Sequence, residues 1–326
     1  MKRTLRFALN QQQSPTHYNL CRYLQKRGWQ ASFFPWQRHF SDKNLQFNQA
    51  AAEQLEYKHL LARLVKQFCP EIMPLTYCIN DNNWLNVLEK IADAHQDELV
   101  WILKPALLNN GKEIKIFQTL GQIEQHYLSS NRLGGEHVLQ QYLDPHLLRG
   151  EHKYSIRLFV VTTNYAKSFL YPYGYYNVAK EPYQATSFSD LKPHLTNEHL
   201  DDNEANVIQI PTARFESFVL LYPHIKAMVT AVFQGLEQWF PEAFVCNASR
   251  VLAIYGFDFI VDAAGCPWLL EANHGPCFPI SESHSLQHYL YEDFWQALIT
   301  SFIEPIARNT PVNDIVYESF EKIHTS

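Results

Sequence analysis

A short hairpin in the last third of the chain carries the residues whose types and spacing best indicate chemistry. Residues 255–273 hold β-forming apolar side chains on both sides of a Gly-containing turn at residues 262–265, which predicts two antiparallel strands. The two-residue period of a strand then places Asp258, Glu271 and Asn273 on one face. Two carboxylates and an amide are hard oxygen donors, and they suit a Mg²⁺ ion that also binds phosphate oxygens.

The same hairpin has a simpler interpretation. A four-residue turn places Asp258 opposite Leu269 and directs Phe257, Trp268 and Leu270 to the other face. Considered alone, this pattern fits a half-exposed hairpin with an acidic outer face equally well. The metal-site interpretation is favoured because other parts of the chain supply groups that match it.

Basic residues upstream are placed to bind the phosphates of a nucleotide. Lys104 ends an apolar strand, and the loop after it contains Gly111 and Lys112, so that a point charge and backbone N–H groups come together. This loop is not a P-loop, because it lacks the GxxxxGK[ST] pattern. Lys153 and Arg157 are four residues apart on a predicted strand and therefore share a face. The alternatives are that Lys104 is a surface lysine beside a turn, and that Lys153 and Arg157 lie on an ordinary solvated strand face.

The composition indicates a globular protein. Of 326 residues, 46% are hydrophobic and 18% are charged, and the net charge of −6 argues against general nucleic-acid binding. The six cysteines show neither a CxxC motif nor Cys/His pairing, which indicates reduced thiols. The first residues lack the pattern of a targeting segment, and no run approaches the roughly 18 apolar residues of a membrane span. We therefore expect a soluble, cytoplasmic protein without nucleic-acid or membrane partners.

The order of the predicted elements indicates an α/β fold with mixed sheets and flanking helices. A strand, a helix and a second strand open the chain, and hairpins are predicted at residues 99–117 and 154–171. Long helices are predicted at about residues 215–238 and 284–303. The predicted subdomains cover residues 1–65, 66–135 and 136–326.

Several motifs, taken in order, resemble the tubulin tyrosine ligase family, whose members are ATP-grasp enzymes that join an amino acid to a carboxylate or α-amine of tubulin tails. The resemblance covers roughly residues 50–305. The His-Leu-Thr-Asn tetrapeptide at residues 194–197 and the Glu-x-Asn sequence at residues 271–273 are its most specific elements. The matching motifs are Trp101–Pro105, Gly111-Lys112, Val138–Leu143, Lys153–Arg157, Glu181–Tyr183, His194–Asn197, Gly256–Phe259 and Leu270–Pro276.

The resemblance implies an ATP-grasp fold, with ATP and Mg²⁺ between two sheet-bearing lobes and an α/β subdomain at the N-terminus. It implies that Asp258, Glu271 and Asn273 hold the metal. It also implies that Lys104 contacts the phosphates, with assistance from Lys58.

The resemblance further assigns residues to catalysis and to nucleotide binding. Arg157 matches a cation near the γ-phosphate and the acceptor carboxylate, Lys153 matches a nucleotide-contacting lysine, and Asn197 matches a polar position that lines the active site. These three are the implied catalytic residues. The implied nucleotide-binding residues are Lys58, Lys104, Gly111, Lys112, Gln140, Gln141, Tyr142, Leu143, Lys153 and Asp258.

The chain departs from the family pattern at four positions. Glu113 replaces a second glycine of the phosphate loop, and Ser155 replaces an aspartate between the matching lysine and arginine. Gln141 stands where a basic residue is usual, and Asn177 replaces an arginine expected shortly before the Glu-Pro-Tyr motif. These changes remove charge around the nucleotide and amino-acid pockets but leave the three metal-binding residues intact. We interpret them as a change of amino acid or acceptor, with loss of turnover as the alternative.

The predicted function is ATP- and Mg²⁺-dependent ligation of a free amino acid to a protein carboxylate or amine through an acylphosphate. Metal and basic side chains neutralise the γ-phosphate, so that a carboxylate can attack it. The expected acceptor is tubulin or another protein with an acidic tail. One alternative is a nucleotide-binding module with weak turnover that recognises acidic tails through the basic run Arg149–Arg157 with Lys112 and Lys115. The other is an ATP-grasp ligase that acts on small molecules.

Overall fold

Strands in the described part of the chain form three sheets, and the cleft between two of them positions the site. The computed structural model describes residues 4–34, 39–198, 200 and 205–323. The elements of the N-terminal region are β1 (Arg6–Ala8), α1 (Pro15–Lys26), β2 (Gln30–Ala31) and β3 (Phe40–Ser41). They form a small parallel sheet in which β1 is central and α1 leads from β1 to β2. Ser14 caps the helix by accepting a hydrogen bond from the backbone N–H of His17.

The second sheet is formed by the residues that follow. Its elements are β4 (Thr76–Ile79), α4 (Trp84–Asp93), β5 (Trp101–Pro105), β6 (Lys115–Phe117), α5 (Leu120–Leu128) and β7 (His137–Gln141). The four antiparallel strands have the order β4-β7-β5-β6, and the pairing of β5 with β6 confirms the hairpin predicted at residues 99–117. Trp101 and Leu139 pack under α4 and α5, while Lys104 and Gln140 on the opposite face line the cleft.

The third sheet is the largest and is antiparallel throughout. Its strands are β8 (Leu147–Leu148), β9 (His152–Thr163), β10 (Lys167–Ala179), β11 (Val207–Pro211), β12 (Leu252–Val261), β13 (Pro267–His274) and β14 (Glu321–Lys322). The order is β11-β10-β9-β12-β13, with β14 beside β10 and β8 beside β9. Strands β9 and β10 form the second predicted hairpin, and a bulge between Tyr171 and Gly174 shifts their pairing.

The alternation of residues along β9 decides which part of the large sheet faces the cleft. The even-numbered residues of 154–160 are buried in one core cluster. On the opposite face, Lys153, Ser155 and Arg157 line the cleft, while residues 159 and 161 lie in a second core cluster. The prediction that Lys153 and Arg157 share a strand face is therefore confirmed.

Helices cover both faces of the large sheet outside the cleft. One face packs on α2 (Gln49–Glu56), α3 (Lys58–Phe68) and α6 (Phe218–Trp239). The other face packs on α1 and on a helical run made of the π-helical segment Gln287–Tyr291, α7 (Glu292–Leu298), the π-helical segment Ile299–Ile303 and α8 (Glu304–Arg308). This run places Tyr291 at the edge of the cleft.

Helix α6 is the exception to the expectation that no segment is long and apolar enough to span a membrane. By length and composition it meets that criterion, with a mean hydropathy of 1.2 over its most apolar window. Buried helices of protein cores meet it too, and here Ile225, Val229 and Phe233 pack into the core beneath the large sheet. Close packing against α3 depends on Gly235, where a Cβ atom would lie 2.8 Å from the Phe68 side chain.

The described elements form a mixed α/β fold, as predicted. Strand β7 pairs within the four-stranded sheet. We therefore draw the boundary between the second and third predicted subdomains after Gln141 instead of at residue 135. The division into three subdomains itself stays a prediction.

Candidate nucleotide and metal site

A cavity of about 570 Å³ lies between the four-stranded sheet and the large sheet. Lys104 and Gln140 line one side, and Lys153, Arg157 and Asp258 line the other. The structure brings every site residue predicted from the sequence into the lining of this one cavity. Those residues are Lys58, Lys104, Gly111, Lys112, Gln140, Gln141, Tyr142, Leu143, Lys153, Arg157, Asn197, Asp258, Glu271 and Asn273.

The hairpin formed by β12 and β13 carries the two carboxylates, but its register differs from the prediction. Asp258 lies opposite Glu271, and Phe259 lies opposite Leu269, so that Leu270 is an extra residue in a β-bulge. The predicted pairing of Asp258 with Leu269 is therefore wrong. Leu269 is fully buried in the core, and Leu270 lines the cleft instead of pointing away from it.

The turn of this hairpin explains why the three predicted metal ligands still lie together. Asp262 pairs with Cys266 through a backbone hydrogen bond of 2.9 Å, and its side chain also accepts the Cys266 N–H at 2.8 Å, which makes the connection longer than predicted. The longer turn shifts the register once, and the bulge shifts it again in the same direction. The two shifts together keep Asp258, Glu271 and Asn273 on one face.

Hydrogen bonds hold the three side chains of this cluster in contact. The Asn273 amide donates to Asp258 Oδ2 at 3.1 Å and to Glu271 Oε1 at 3.3 Å. Arg157, directly opposite Asp258 on β9, donates from Nε to Asp258 Oδ1 at 2.8 Å and from Nη2 to Oδ2. Lys58 Nζ lies 3.5 Å from Glu271 Oε2. The cluster therefore contains two carboxylates, an amide and two cations in direct contact.

The pKa values of the two carboxyl groups are shifted in opposite directions because their neighbours differ. Burial raises the pKa of Asp258 to about 6, with Arg157 opposing the shift and Glu271 adding to it. Burial also acts on Glu271, but the charges of Lys58, Lys104 and Arg157 outweigh it and lower the pKa of Glu271 to about 2. The neighbouring cations therefore favour the ionised, ligand-competent form of Glu271, and Arg157 favours that of Asp258.

The donor set fits a Mg²⁺ ion. Asp258 and Glu271 offer carboxylate oxygens, and Asn273 offers its amide oxygen once the amide turns so that Oδ1 faces the carboxylates. Within residues 4–34, 39–198, 200 and 205–323, no group of three or more His, Cys, Asp or Glu is placed to hold a metal. A cation at this cluster therefore depends on the amide of Asn273 and on phosphate or water oxygens as well.

Lys104 is a buried cation on the opposite wall of the cleft. It is 9% exposed, and its Nζ donates to Gln140 Oε1 at 2.8 Å. Gln140 in turn donates to the Thr76 hydroxyl at 2.9 Å, which fixes the orientation of its amide. Burial lowers the pKa of Lys104 to about 8, although the nearby carboxylates of Glu271 and Asp258 oppose this. An anionic ligand in the cleft would raise this pKa again and favour the charged form further.

Lys153 belongs to a chain of hydrogen bonds with a defined direction. His194 Nε2 lies 2.7 Å from the Ser187 carbonyl oxygen, which only accepts, so Nε2 carries the proton. His194 Nδ1 then accepts from the Tyr142 hydroxyl at 2.8 Å, and the hydroxyl oxygen accepts from Lys153 Nζ at 2.9 Å. Burial and the charge of Lys104 lower the pKa of Lys153 to about 7.

The segment from Gln140 to Leu143 contributes to the cleft mainly through side chains. The backbone N–H groups of Gln141 and Tyr142 donate to the carbonyl oxygens of Leu75 and Val100, at 2.8 Å in each case. These two N–H groups are thus used within the protein. The groups of this segment that are available to a ligand therefore exclude the backbone N–H groups of Gln141 and Tyr142.

The loop between β5 and β6 has an unusual backbone at the position where Glu113 replaces the family's glycine. Asn110, Gly111 and Glu113 all have positive φ angles, of 59°, 70° and 57°. A glycine adopts this conformation without strain, and a glutamate does not. Glu113 is exposed and does not line the cavity, so its carboxylate is turned away from the cleft. A Cβ atom on Gly111 would lie 3.5 Å from Asn197 Oδ1, which places Asn197 beside this loop.

The cleft continues past Arg157 into a compartment whose floor includes Ser155 and Asn177, two of the four departures from the family pattern, and Gln209, which the sequence analysis did not identify. Ser155, Asn177 and Gln209 lie opposite one another on the neighbouring strands β9, β10 and β11. Gln209 donates to Asn177 Oδ1 at 3.1 Å, and Thr196 donates to the Ser155 hydroxyl at 2.8 Å. We call the part of the cavity over this row the polar compartment; its further lining residues are Tyr175, Thr196, Asn197, Glu198, His284 and Tyr291.

The basic run predicted to bind acidic tails does not form a continuous surface. Arg149 is exposed, but Lys153 is only 6% exposed and lies inside the cleft. Arg157 lies in the cleft, where it pairs with Asp258, and is not part of the outer surface. Lys112 and Lys115 are exposed on the separate loop and strand of the four-stranded sheet. Residues 149–157 therefore do not form the continuous basic surface that the tail-recognition alternative requires.

Comparison with known proteins identifies the family. The family model described as "Tubulin-tyrosine ligase family" matches residues 19–311, and this chain therefore belongs to that family. The resemblance inferred from the sequence motifs is confirmed.

Relatives from animals and ciliates show the same relationship at low identity. The chain is 27% identical to "Probable tubulin polyglutamylase TTLL2" of Mus musculus over 318 residues, which cover 86% of this chain and 55% of that protein. It is 23% identical over 202 residues to "Tubulin glycylase 3C" of Tetrahymena thermophila, covering 57% of this chain and 19% of that protein. It is 24% identical over 208 residues to "Tubulin polyglutamylase TTLL5" of Homo sapiens, covering 56% of this chain and 16% of that protein. The chain thus spans about half the length of the first relative and less of the others.

Proposed function

We propose that this chain is an ATP- and Mg²⁺-dependent ligase of ATP-grasp type that joins a free amino acid to a carboxylate or amine of a protein. The observation that carries the proposal is the meeting of Asp258, Glu271 and Asn273 with Arg157 and two buried lysines in one cleft. Family membership supports it, as do the names of relatives that are polyglutamylases and glycylases of tubulin.

In this proposal, the four-stranded sheet and the large sheet are the two lobes that enclose ATP. The phosphates lie between Lys104 and the Asp258 cluster, where Lys58 adds positive charge. The base lies near Tyr142 and Leu143. Bound Mg²⁺ supplies positive charge that neutralises the terminal phosphates, with Asp258, Glu271 and Asn273 as its protein ligands.

The proposed chemistry needs no nucleophile from the protein. An acceptor carboxylate oxygen bonds to the γ-phosphorus of ATP, the bond to the β,γ-bridging oxygen breaks, and ADP leaves. The amine nitrogen then bonds to the carbonyl carbon of the acylphosphate, phosphate leaves, and the nitrogen loses a proton to give the amide. Arg157 and Lys104 stabilise the negative charge of the transferring phosphoryl group, and the buried cleft strengthens these interactions.

We propose tubulin or another protein with an acidic tail as the acceptor, by extension from the names of the relatives, and a cytoplasmic location, which suits the six free thiols. A small-molecule acceptor is the second candidate, and one observation favours it. A recess that shares His274 with the cleft is lined by Asp42, Glu53 and Glu56, and its described lining includes no Lys or Arg. An acidic tail entering by this route would meet like charge.

The test combines nucleotide binding with product identification. Calorimetry with a non-hydrolysable ATP analogue, with and without Mg²⁺, should show Mg²⁺-dependent binding. Mass spectrometry should then show an added amino acid on tubulin, on its isolated tails or on small carboxylic acids incubated with ATP and mixed amino acids. Nucleotide binding without ADP release from any acceptor would favour the non-ligating module, and absence of nucleotide binding would overturn the proposal.

A further inference from the structure

The polar compartment has the position of a second substrate site. It lies on the same sheet as the metal cluster but on the other side of Arg157, over β10 and β11 instead of β12 and β13. A ligand there is separated from the Asp258 cluster by the width of one strand, β9. Two substrates that react with each other need this kind of adjacency.

The floor of the polar compartment is uncharged. Ser155, Asn177 and Gln209 present a hydroxyl and two amides in one row, and the first two are 4% and 6% exposed. The Oε1 atom of Gln209 is buried and has no hydrogen-bond partner among the described residues. Because that oxygen is buried, a ligand in the cavity can pair with it only after the Gln209 side chain rotates.

The walls supply negative charge and neutral phenols. Burial raises the pKa of both Tyr175 and Tyr291, and the charge of Glu198 adds to this, so both phenols are neutral at pH 7. Burial lowers the pKa of His284, which is therefore neutral as well, although Glu198 opposes the shift. Glu198 is thus within electrostatic range of all three side chains.

Positive charge enters the polar compartment only at its border. Arg157 and Lys153 flank Ser155 on the same face of β9. The Lys153 ammonium is turned to the Tyr142 hydroxyl, and the Arg157 guanidinium binds both oxygens of Asp258 through Nε and Nη2. One guanidinium can serve the single α-carboxylate that every amino acid carries. A second carboxylate on the side chain would find amides and neutral phenols, which do not compensate its charge.

We propose that the polar compartment binds the amino-acid substrate and selects one with an uncharged side chain, such as glycine or a small polar residue, over one with an acidic side chain. The inference rests on the proposed ligase function and adds the class of its amine substrate. Asn177 and Gln209 are then the residues that determine specificity, because they lie where a cation would have to stand to hold a side-chain carboxylate.

Glutamine and glutamate provide the sharpest test, because they match in size and differ in charge. We expect the wild-type protein to release ADP with glutamine or glycine at a kcat/KM at least about tenfold above that with glutamate, the size of effect expected for one unpaired buried charge. Asn177→Arg should lower the ratio of kcat/KM for glutamine to kcat/KM for glutamate by about tenfold or more, because the added arginine can pair with the side-chain carboxylate. Gln209→Lys is a second variant at a less buried position, in case the larger Asn177→Arg change prevents folding.

Gln125→Arg, on the exposed face of α5, is the matched control and should leave the ratio unchanged. Binding of each amino acid to the complex with Mg²⁺ and the ATP analogue, measured by calorimetry, gives the same comparison without turnover. A wild-type preference for glutamate, a ratio that neither variant moves, or failure of every amino acid to bind the nucleotide complex would overturn the inference. Absence of nucleotide binding itself would instead overturn the proposed ligase function.

Discussion

Arg157 and Asp258 lie directly opposite each other on β9 and β12, and the Arg157 guanidinium binds both oxygens of the Asp258 carboxylate. The side chain of Asp258 is 8% exposed and that of Arg157 is 17% exposed, so water screens this pair weakly. Gly256 makes room for the pair, since a Cβ atom there would lie 3.2 Å from Arg157 Cδ. The same arginine thus fixes a metal ligand and faces the polar compartment.

Replacing Arg157 should therefore affect stability as well as nucleotide binding. Arg157→Met leaves Asp258 buried without its partner, and we expect the free energy of unfolding to fall by about 3–5 kcal/mol. The pKa of Asp258, which burial already raises to about 6, should rise further, so that the group loses its charge at neutral pH. Urea unfolding and calorimetric nucleotide binding measure the two effects. Arg149→Met, at an exposed position, should show neither, and equal stability of Arg157→Met and wild type would contradict the assignment.

Glu271→Gln tests the metal cluster with little change of shape. The substitution removes one ionised ligand, and we expect ADP formation to fall by at least about a hundredfold because charge stabilisation at the transferring phosphate is lost. Circular dichroism should show an intact fold, and nucleotide binding should lose its dependence on Mg²⁺. Glu124→Gln on the exposed face of α5 serves as the control. An unchanged rate of ADP formation would remove Glu271 from the metal site.

Local sequence patterns located the metal cluster but did not give its register. The two-residue period correctly placed Asp258, Glu271 and Asn273 on one face. The turn length and the bulge at Leu270 have no clear sequence signal. The cluster stays on one face because there are two one-residue shifts, and an even number of such shifts restores the same face of the strand. The contact between Arg157 and Asp258 could not be predicted from the sequence for a different reason. It requires β9 and β12 to be neighbours in the sheet, and no local pattern indicates the pairing of residues 101 positions apart.

The sequence analysis named Ser155 and Asn177 of the polar compartment, but a second bulge decides that they lie opposite each other. Near the β9–β10 turn, Thr162 pairs with Ser168, and continuing that register would place Ser155 opposite Tyr175. The bulge between Tyr171 and Gly174 moves the pairing, so that Ser155 lies opposite Asn177 instead. A Pro172 in the strand was the one visible signal, because proline interrupts a ladder of hydrogen bonds.

The buried lysines make the stability of the protein without nucleotide depend on pH. Lys153 has a folded-state pKa lowered to about 7, whereas in the unfolded chain it has an ordinary lysine value, so between these values the unfolded chain binds more protons. The free energy of unfolding should therefore rise with pH from about pH 7 toward pH 10, with a slope from this group of at most about 1.4 kcal/mol per pH unit, and fall as pH decreases through that window. Binding of phosphates should weaken as the pH rises through this window, because it requires the protonated lysine.

Urea unfolding of wild type and Lys153→Met from pH 6 to 10 measures the difference, and Lys115→Met, at an exposed position, should follow the wild type. Parallel curves for Lys153→Met and wild type would contradict the shift.

Glu113→Gly should stabilise the loop between β5 and β6. The backbone of Glu113 has a φ angle of 57°, which disfavours a side chain by about 1–2 kcal/mol, while glycine carries an added entropy cost in the unfolded chain of about 0.5–1 kcal/mol. We expect a net gain of about 0.5–1 kcal/mol in the free energy of unfolding. Lys112→Gly is the neighbouring control; its φ angle is not positive, so only the entropy cost applies and the protein should lose stability. A loss at position 113 equal to that at position 112 would show that the backbone there is not strained.

Gly174→Ala should disturb the site from a distance through the backbone. A Cβ atom at Gly174 would lie 1.9 Å from the Arg157 carbonyl oxygen, and this contact can be relieved only by moving β9 or β10. We expect a loss of at least about 2 kcal/mol in the free energy of unfolding, together with weaker nucleotide binding, because the displaced strand carries Lys153 and Arg157. Gly121→Ala is the matched control: its added Cβ meets only ordinary contact at 3.9 Å, and alanine in helix α5 should stabilise the protein by about 0.5–1 kcal/mol. Equal stability of the two variants would mean that β9 and β10 are not held together as closely as their pairing indicates.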